Sequence, residues 1–172
     1  GEIETAKKRT EDYARELEEK VAIRTKQLEE QSKRDPLTEL YNHRAFQEAL
    51  QRELSLAKRR KGNLSLVYLD LDGFKLLNDK HGHLYGDEVL KTVARVLAEK
   101  IRQTDIACRY GGDEFCIILT DCDLTQAKDI CEKIIFKLKS SKVSCSRSIG
   151  IHSFDGDENM NADTFIHLAD LK

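Results

Sequence analysis

The stretch IACRYGGDEFCIIL, residues 106–119, sets two apolar, β-branched runs on either side of a paired glycine. Residues 106–110 and 115–119 read as strands, and Gly111-Gly112 reads as the tight turn between them, a hairpin pattern. A glycine pair is first of all a turn, but without a Cβ it also lets the backbone approach a ligand closely. Two acids, Asp113 and Glu114, follow directly. The turn therefore carries carboxylates at a place where a phosphate chain would meet no side-chain obstruction.

Outward from the hairpin the hydrophobic period switches repeatedly. Residues 64–71 form a short apolar run with the pattern of a buried strand, and residues 74–80 a short helix. A glycine-punctuated loop is expected at 81–86 and a strongly amphipathic helix at 87–102. Downstream, 124–139 reads as a helix, 143–152 as a strand and 162–171 as the start of a last helix. Nearer the N-terminus, residues 38–41 open a helix whose apolar positions Leu40, Ala45, Phe46, Ala49, Leu50, Leu54 and Ala57 keep a helical period. Four cations and Gly62 close it. This order predicts an α+β sandwich, one antiparallel-type sheet with helices on one face.

The first 33 residues are of another kind, almost all polar and free of proline, with glycine only at position 1. Glu, Lys, Arg, Gln and Ala favour helix. A 3-4 spacing runs through Ile3, Lys7, Thr10, Ala14, Leu17, Val21, Arg24, Leu28 and Gln31, only partly apolar. It predicts a weak, adjustable coiled coil at 1–33, with a solvated single helix as the alternative. Pro36 ends this helix, because the residue before a proline is pushed out of the α region. The domain proper is expected at 34–172.

Composition removes several function classes. The chain has 172 residues, 40% hydrophobic and 35% charged, with a net charge of -2. There is no basic excess of the kind that marks nucleic-acid or anionic-membrane binding. No apolar run approaches the roughly 18 residues that span a bilayer, and no signal-peptide core is visible. The expectation is a cytoplasmic domain, whose parent protein could still be membrane-anchored. Cys108, Cys116, Cys122, Cys131 and Cys145 are scattered without a CxxC pair and read as reduced thiols. His81-Gly-His83 is a weak metal spacing without softer ligands nearby.

Chemistry concentrates in two acidic clusters: Asp70-Leu71-Asp72 at the end of an apolar strand, and Asp113-Glu114 in the turn. Each acid alone could be a turn cap. Together they offer oxygen ligands for magnesium, which takes one or two protein carboxylates and completes its shell with phosphates and water. Such ions serve phosphoryl transfer. No GxxxxGK[ST] or GxGxxG offers another phosphate cradle. Between the clusters lie Phe74, Lys75, Asn78, His83 and Asp87. Asn78 and Asp87 can match the polar edge of a guanine, and Lys75 can neutralise phosphate charge. The plain alternatives are a turn asparagine, a helix N-cap at Asp87 and a solvated lysine.

Three segments in order, DPLTELYNHR at 35–44, DLDGFKLLNDKHGHLYGD at 70–87 and RYGGDEF at 109–115, resemble the GGDEF family of diguanylate cyclases. The resemblance covers residues 34–172. It implies a fold akin to nucleotidyl cyclases and polymerase palms, and the joining of two GTP into cyclic di-GMP. It implies Asp70, the Leu71 carbonyl and Asp113 as ligands of magnesium, with manganese a possible substitute. Glu114 would assist the metal or activate the 3′-hydroxyl, a base role divided between the two turn acids. Asn78 and Asp87 would recognise guanine with His83 close by, while Phe74, Lys75, Gly111 and Gly112 would meet the substrate. Two GTP-loaded protomers must then face each other, so the resemblance implies a homodimer set by the N-terminal helix, and a sensory domain upstream in the full-length protein. Arg102 and Asp105 match the family's RxxD inhibitory site, with Lys133 as a second cation for the cyclic di-GMP product.

Two departures lie in the first segment: Glu39 stands where the family has glycine, and His43 interrupts an Asn-Arg pair. Both are expected to touch packing more than chemistry. The family's helix continues past position 172 to a lysine and an arginine that hold the triphosphate; a chain without them would be impaired. A receptor that only binds nucleotide, or a dimerisation relay, are the competing functions. Receptors of this family lose a turn acid, and here Gly111, Gly112, Asp113 and Glu114 are all present.

Overall fold

The computed structural model describes all residues except 142, 144, 171 and 172, together with the backbone alone of Glu2, Ile3, Ala6, Glu29, Glu30 and Gln31. The expected contributions of Ile3 and Gln31 to the N-terminal stripe, part of the strand predicted from 143, and the chain end at Leu171-Lys172 lie outside the described residues. The chain divides into two units, Gly1–Lys33 and Arg34–Lys172.

The first unit is one helix, α1 (Glu2–Gln31). Tyr13, Leu17, Val21, Ile23 and Leu28 are all more than half exposed, so the stripe read from the sequence has no cover within this unit. An exposed Lys20–Glu16 pair at 2.6 Å adds the small support of an i,i+4 contact. Among the described residues, no helix is long and apolar enough to cross a membrane.

The second unit runs α2 (His43–Arg60), β1 (Leu64–Asp72), α3 (Phe74–His81), α4 (His83–Lys100), β2 (Ile106–Arg109), β3 (Glu114–Thr120), α5 (Leu124–Ser140), β4 (Ser146–Ser153) and α6 (Ala162–Asp170). The four strands form one sheet in the order β2-β3-β1-β4, every pair antiparallel. This is the α+β fold expected, with one correction: helices cover both faces. Val67, Leu69 and Leu71 pack with α4 and α5 on one side, whereas Leu64, Leu66 and Tyr68 pack with α2 and α6 on the other. Side chains alternate along a strand, so a strand buried on both faces reads as a continuous apolar run. That run, at 64–71, already argued against a one-sided sheet.

Several boundaries moved, each for a local reason. The helix expected to open at 38–41 begins at His43, because the Asn42 side chain accepts from the Ala45 amide at 3.0 Å and caps it. Residues 35–40 form a turn instead: Asp35 Oδ1 accepts from Thr38 N at 2.9 Å and Thr38 Oγ1 at 2.6 Å. Glu39 there has φ +61°, a left-handed conformation that glycine adopts at least cost. At the far end of α2 the left-handed cap is Lys61, not Gly62. The loop expected at 81–86 is absent: only Gly82, at φ +86°, separates α3 from α4. Asp87 therefore sits inside α4 and not at its N-cap.

All five cysteines are buried and free. Burial pushes the Cys131 thiol up to about 12, and Cys108 faces Cys116 across the β2–β3 ladder.

Candidate active site

Strand β1 delivers its acids beside the hairpin turn. Asp70 lies directly opposite Glu114 in the β1–β3 register, and the Leu71 amide donates to the Asp113 carbonyl at 3.1 Å. Directly opposed residues on antiparallel strands point to the same face, with Cα atoms roughly 4.5–5.5 Å apart. Asp113 feels this crowding. Its partial burial, then the Asp70 charge, and more weakly Glu114, raise its carboxyl above the usual range against an opposing pull from Arg109. Asp72 belongs elsewhere, since its Oδ1 accepts from Ser148 Oγ at 2.8 Å.

Carboxylates gathered so closely fit a divalent cation. Among the described residues no three acidic, histidine or cysteine side chains form a ready cage. A hard ion held by one or two carboxylates, a carbonyl and phosphate oxygens does not require one. The same observation gives no support to a metal at His81 and His83; both are exposed, and His81 lies against the Tyr85 ring at 4.9 Å.

The turn is braced from outside. Arg109 donates to the Gly112 carbonyl through Nη2 at 2.8 Å and Nε at 3.1 Å, and its Nη1 reaches Asp35 at 3.3 Å. Both side chains of that ion pair are mostly buried. Burial alone would raise the Asp35 carboxyl, but bonds from Thr38 and the nearby Arg109 outweigh it and hold it low. The 35–44 segment thus works as a clamp on the signature turn, 74 residues away.

Glu114 is held from two sides. Tyr68 Oη donates to its Oε1 at 2.5 Å, while a Cβ placed on Gly111 would collide with its Oε2 and lie 3.3 Å from its Cδ. Burial first, then Glu114, push the Tyr68 phenol far above its ordinary range, so it remains a donor.

A second group forms where α3 and α4 meet. Gly86, in the first turn of α4, packs onto α3 so tightly that a Cβ there would strike the Asn78 amide, with Cγ at 2.9 Å and Phe74 Cζ at 3.1 Å. Asn78 Oδ1 is buried with no hydrogen-bond partner. A buried, unpaired acceptor is costly, and calls for a donor from a ligand or water. Asp87 follows Gly86 and is half-buried, while His83 and Lys75 are exposed. Gly73, at the N-cap of α3, makes no side-chain cap bond, which leaves the first N–H groups of that helix, near Phe74 and Lys75, for other acceptors.

At the opposite end of α4, Asp105 is buried and Arg102 exposed. Lys133, on α5, lines a surface hollow with Lys100, Asp129, Glu132, Phe136 and Lys137; Arg102 is not part of that lining.

Residues 32–172 match the diguanylate cyclase GGDEF-domain family. The chain belongs to the GGDEF family. This GGDEF domain is 35% identical over 155 residues to the diguanylate cyclase DgcS of Shewanella oneidensis, covering 87% of this chain and 51% of that protein. It is 39% identical over 131 residues to DgcP of Pseudomonas aeruginosa, covering 72% of this chain and 20% of DgcP. The chain thus spans between a fifth and about half of these relatives' lengths. Among solved structures, the coiled coil and GGDEF domain of DgcB from Caulobacter crescentus, in complex with c-di-GMP, superposes with a TM-score of 0.85 at 27% identity, covering 94% of this chain and 88% of that one. Diguanylate cyclase SiaD from Pseudomonas aeruginosa, in complex with its activator SiaC, gives 0.76 at 29% identity, covering 96% and 70%.

Sequence reasoning missed Tyr68 and the Asp35–Arg109 clamp. Tyr68 carried a faint signal: it is the one aromatic in strand β1, two positions before Asp70 and so on the same face. The clamp had none, because nothing local joins Asp35 to a residue so far along the chain.

Proposed function

We propose that this GGDEF domain is a diguanylate cyclase output domain that condenses two GTP into cyclic di-GMP and two pyrophosphates. The observation that carries this is the complete signature turn, with Asp113 crowded by Asp70 and Glu114 at the end of β1.

In each half-reaction the 3′-hydroxyl oxygen of one GTP bonds to the α-phosphorus of the other. The bond from that phosphorus to the bridging oxygen breaks, and pyrophosphate leaves with the electron pair. A turn acid, Asp113 or Glu114, accepts the hydroxyl proton. Magnesium, or manganese in its place, would supply positive charge for the phosphate oxygens and for the attacking hydroxyl. Asp70, the Leu71 carbonyl and Asp113 would hold that ion, with the Glu114 carboxylate assisting. The exposed Lys75, with the free amides at the start of α3, would take the remaining phosphate charge. Gly112, with open space where a Cβ would stand, would leave room for the phosphates, Gly111 makes room for the Glu114 carboxylate beside them, and Phe74 walls the site beside Asn78.

Guanine is favoured by the second group. Its N–H and amino donors suit the Asp87 carboxylate, and an amino donor suits the buried Asn78 Oδ1. His83 would stand at the rim. Adenine lacks the adjacent ring N–H and amino donors and would leave at least one of these acceptors unpaired, which such sites reject strongly.

One protomer supplies one nucleotide, so two must meet as a homodimer. The uncovered stripe of α1 suits a weak coiled coil that sets whether they do. Residues 1–33 would then relay a signal from a sensory domain upstream to the catalytic unit at 34–172. Arg102, Asp105 and Lys133 would form the site at which cyclic di-GMP inhibits. The composition gives no sign of a nucleic-acid partner, and a cytoplasmic location fits both substrate and free thiols.

The test is incubation with an equal mixture of ATP and GTP in magnesium, with identification of the products. Cyclic di-GMP should dominate, at a rate per protomer that rises with protein concentration. A mainly mixed cyclic dinucleotide would refute the guanine assignment, and GTP bound but unreacted would place the domain among the receptors.

A further inference from the structure

Glu114 faces a choice that its neighbours have already made. A glutamate at a hairpin turn has three side-chain torsions and would ordinarily sample solvent. Here Oε1 accepts from the Tyr68 hydroxyl at 2.5 Å, and Oε2 lies over Gly111, in the room that the missing side chain leaves. Tyr68 is itself closely packed. It is 4% exposed, and its ring meets Tyr110 edge-on, with centroids 5.7 Å apart at 66°. Tyr110 in turn packs against His43 at 4.5 Å and Phe46 at 5.9 Å, both from the first turn of α2. The phenol is therefore a fixed donor on a braced aromatic stack. Tyr68 and Glu114 both lie on the sheet face shared by Asp70, as the strand alternation and register require.

We propose that Tyr68 is a positioning residue that holds the Glu114 carboxylate in the one rotamer useful to the divalent-ion site. The hydroxyl takes one carboxylate oxygen and leaves the other over Gly111, in the turn that carries Asp113 and on the residue opposite Asp70. Without it, Glu114 would swing outward, because Asp70 and Asp113 repel it and no other described side chain holds it in place. This is the usual work of a residue behind a ligand: it sets the ligand's orientation and basicity, and its loss costs on the order of tenfold or more in metal affinity. The His43 ring, noted in the sequence as an interruption, joins this support through Tyr110.

The inference rests on the cyclase reading above, and its experiment separates the two. Tyr68→Phe removes one oxygen and keeps the ring packing. Manganese binding is read by electron paramagnetic resonance of the free ion, with a non-reactive GTP analogue present, and does not depend on turnover. Tyr68→Phe should weaken manganese binding roughly tenfold with an unchanged melting curve, and should raise the magnesium needed for half-maximal turnover by a similar factor. In a Glu114→Gln background, Tyr68→Phe should have no further effect on manganese binding, because the group it positions is gone. Equal manganese affinity in Tyr68→Phe and the parent would overturn the proposal. So would an equal loss in the Glu114→Gln background, which would make Tyr68 a packing residue only. A parent protein that binds manganese normally but forms no cyclic di-GMP would refute the cyclase reading and leave the manganese comparison to decide the role of Tyr68.

Discussion

Helix α4 runs between two polar clusters that are built on opposite principles. At its N-terminal end, Gly86 lets α4 lie against Asn78, and the Asn78 oxygen is left buried without a partner. At its C-terminal end every acceptor on Asp105 is in use: Oδ2 takes the Arg102 amide at 2.9 Å, and Oδ1 takes the Thr120 amide at 3.1 Å and hydroxyl at 3.4 Å. The first cluster holds an unsatisfied group whose cost a ligand can remove. The second is already satisfied by the chain. Its carboxylate fixes the loop after α4 to the end of β3, and the exposed Arg102 is the member with capacity to spare. The RxxD pair thus divides into an acid the chain already uses and an exposed arginine, which its sequence spacing does not distinguish.

The largest effect is expected at the acids of the N-terminal side. Asp70→Asn or Asp113→Asn should lower turnover by about a thousandfold or more, the loss of several kcal/mol of charge stabilisation. Asp113→Asn should also raise the thermal midpoint of the metal-free protein slightly. The sign follows from its raised carboxyl: a group harder to ionise in the folded state destabilises it above the folded pKa, and that penalty is relieved as pH falls or the charge is removed. Steady-state rates and melting curves check both. Near-normal turnover in either variant would end the assignment of these acids to the metal.

How much of this could be read beforehand differs between the same two regions. The hairpin, the acids and the order of strands and helices were legible because they depend on local signals: period, glycine, charge. The α3–α4 junction was misread as a loop, since two glycines close together (Gly82, Gly86) look like punctuation, with Gly73 shortly before them. Only Gly73 and Gly82 take positive φ; Gly86 is there for a close helix contact, which no local pattern reveals. The second helix layer was missed because helix periodicity does not say which sheet face is covered. Glu114 opposite Asp70, and Tyr68 behind them, depend on strand register, which the sequence leaves open.

An intermediate effect is expected from one methyl group at the α3–α4 contact. Gly86→Ala should push the Asn78 side chain and Phe74 ring aside, and overpacking of this kind costs about 1–3 kcal/mol. Urea unfolding should show that loss. On the proposed guanine role of Asn78, the KM for GTP should rise by more than kcat falls, because the displaced asparagine would meet the base and not the reacting phosphorus. A variant with unchanged stability and unchanged KM would mean that the close approach at Gly86 does not shape the proposed guanine site.

The smallest change in stability, at Arg102, and the sharpest test of the contrast, between Arg102 and Asp105, lie at the other end of the helix. Asp105→Ala leaves the Arg102 and Thr120 amides without their acceptor, and an unsatisfied buried donor costs about 1–3 kcal/mol. It should lower the melting point and weaken inhibition together, because the loop that carries Arg102 loses its anchor. Arg102→Ala removes an exposed guanidinium, and substitutions of that kind usually stay within about 0.5 kcal/mol. It should leave stability and initial rate unchanged yet relieve inhibition by added cyclic di-GMP, since the bidentate fork that would grip the product is gone. Lys133→Ala, on the neighbouring helix, should give a weaker version of the same result, because a lysine adds charge without a fork. Calorimetric binding of cyclic di-GMP and melting curves, measured side by side, separate the three. If Asp105→Ala abolished binding with no loss of stability, the acid would be a direct contact. If Arg102→Ala left inhibition intact, the exposed end of α4 would hold no product site at all.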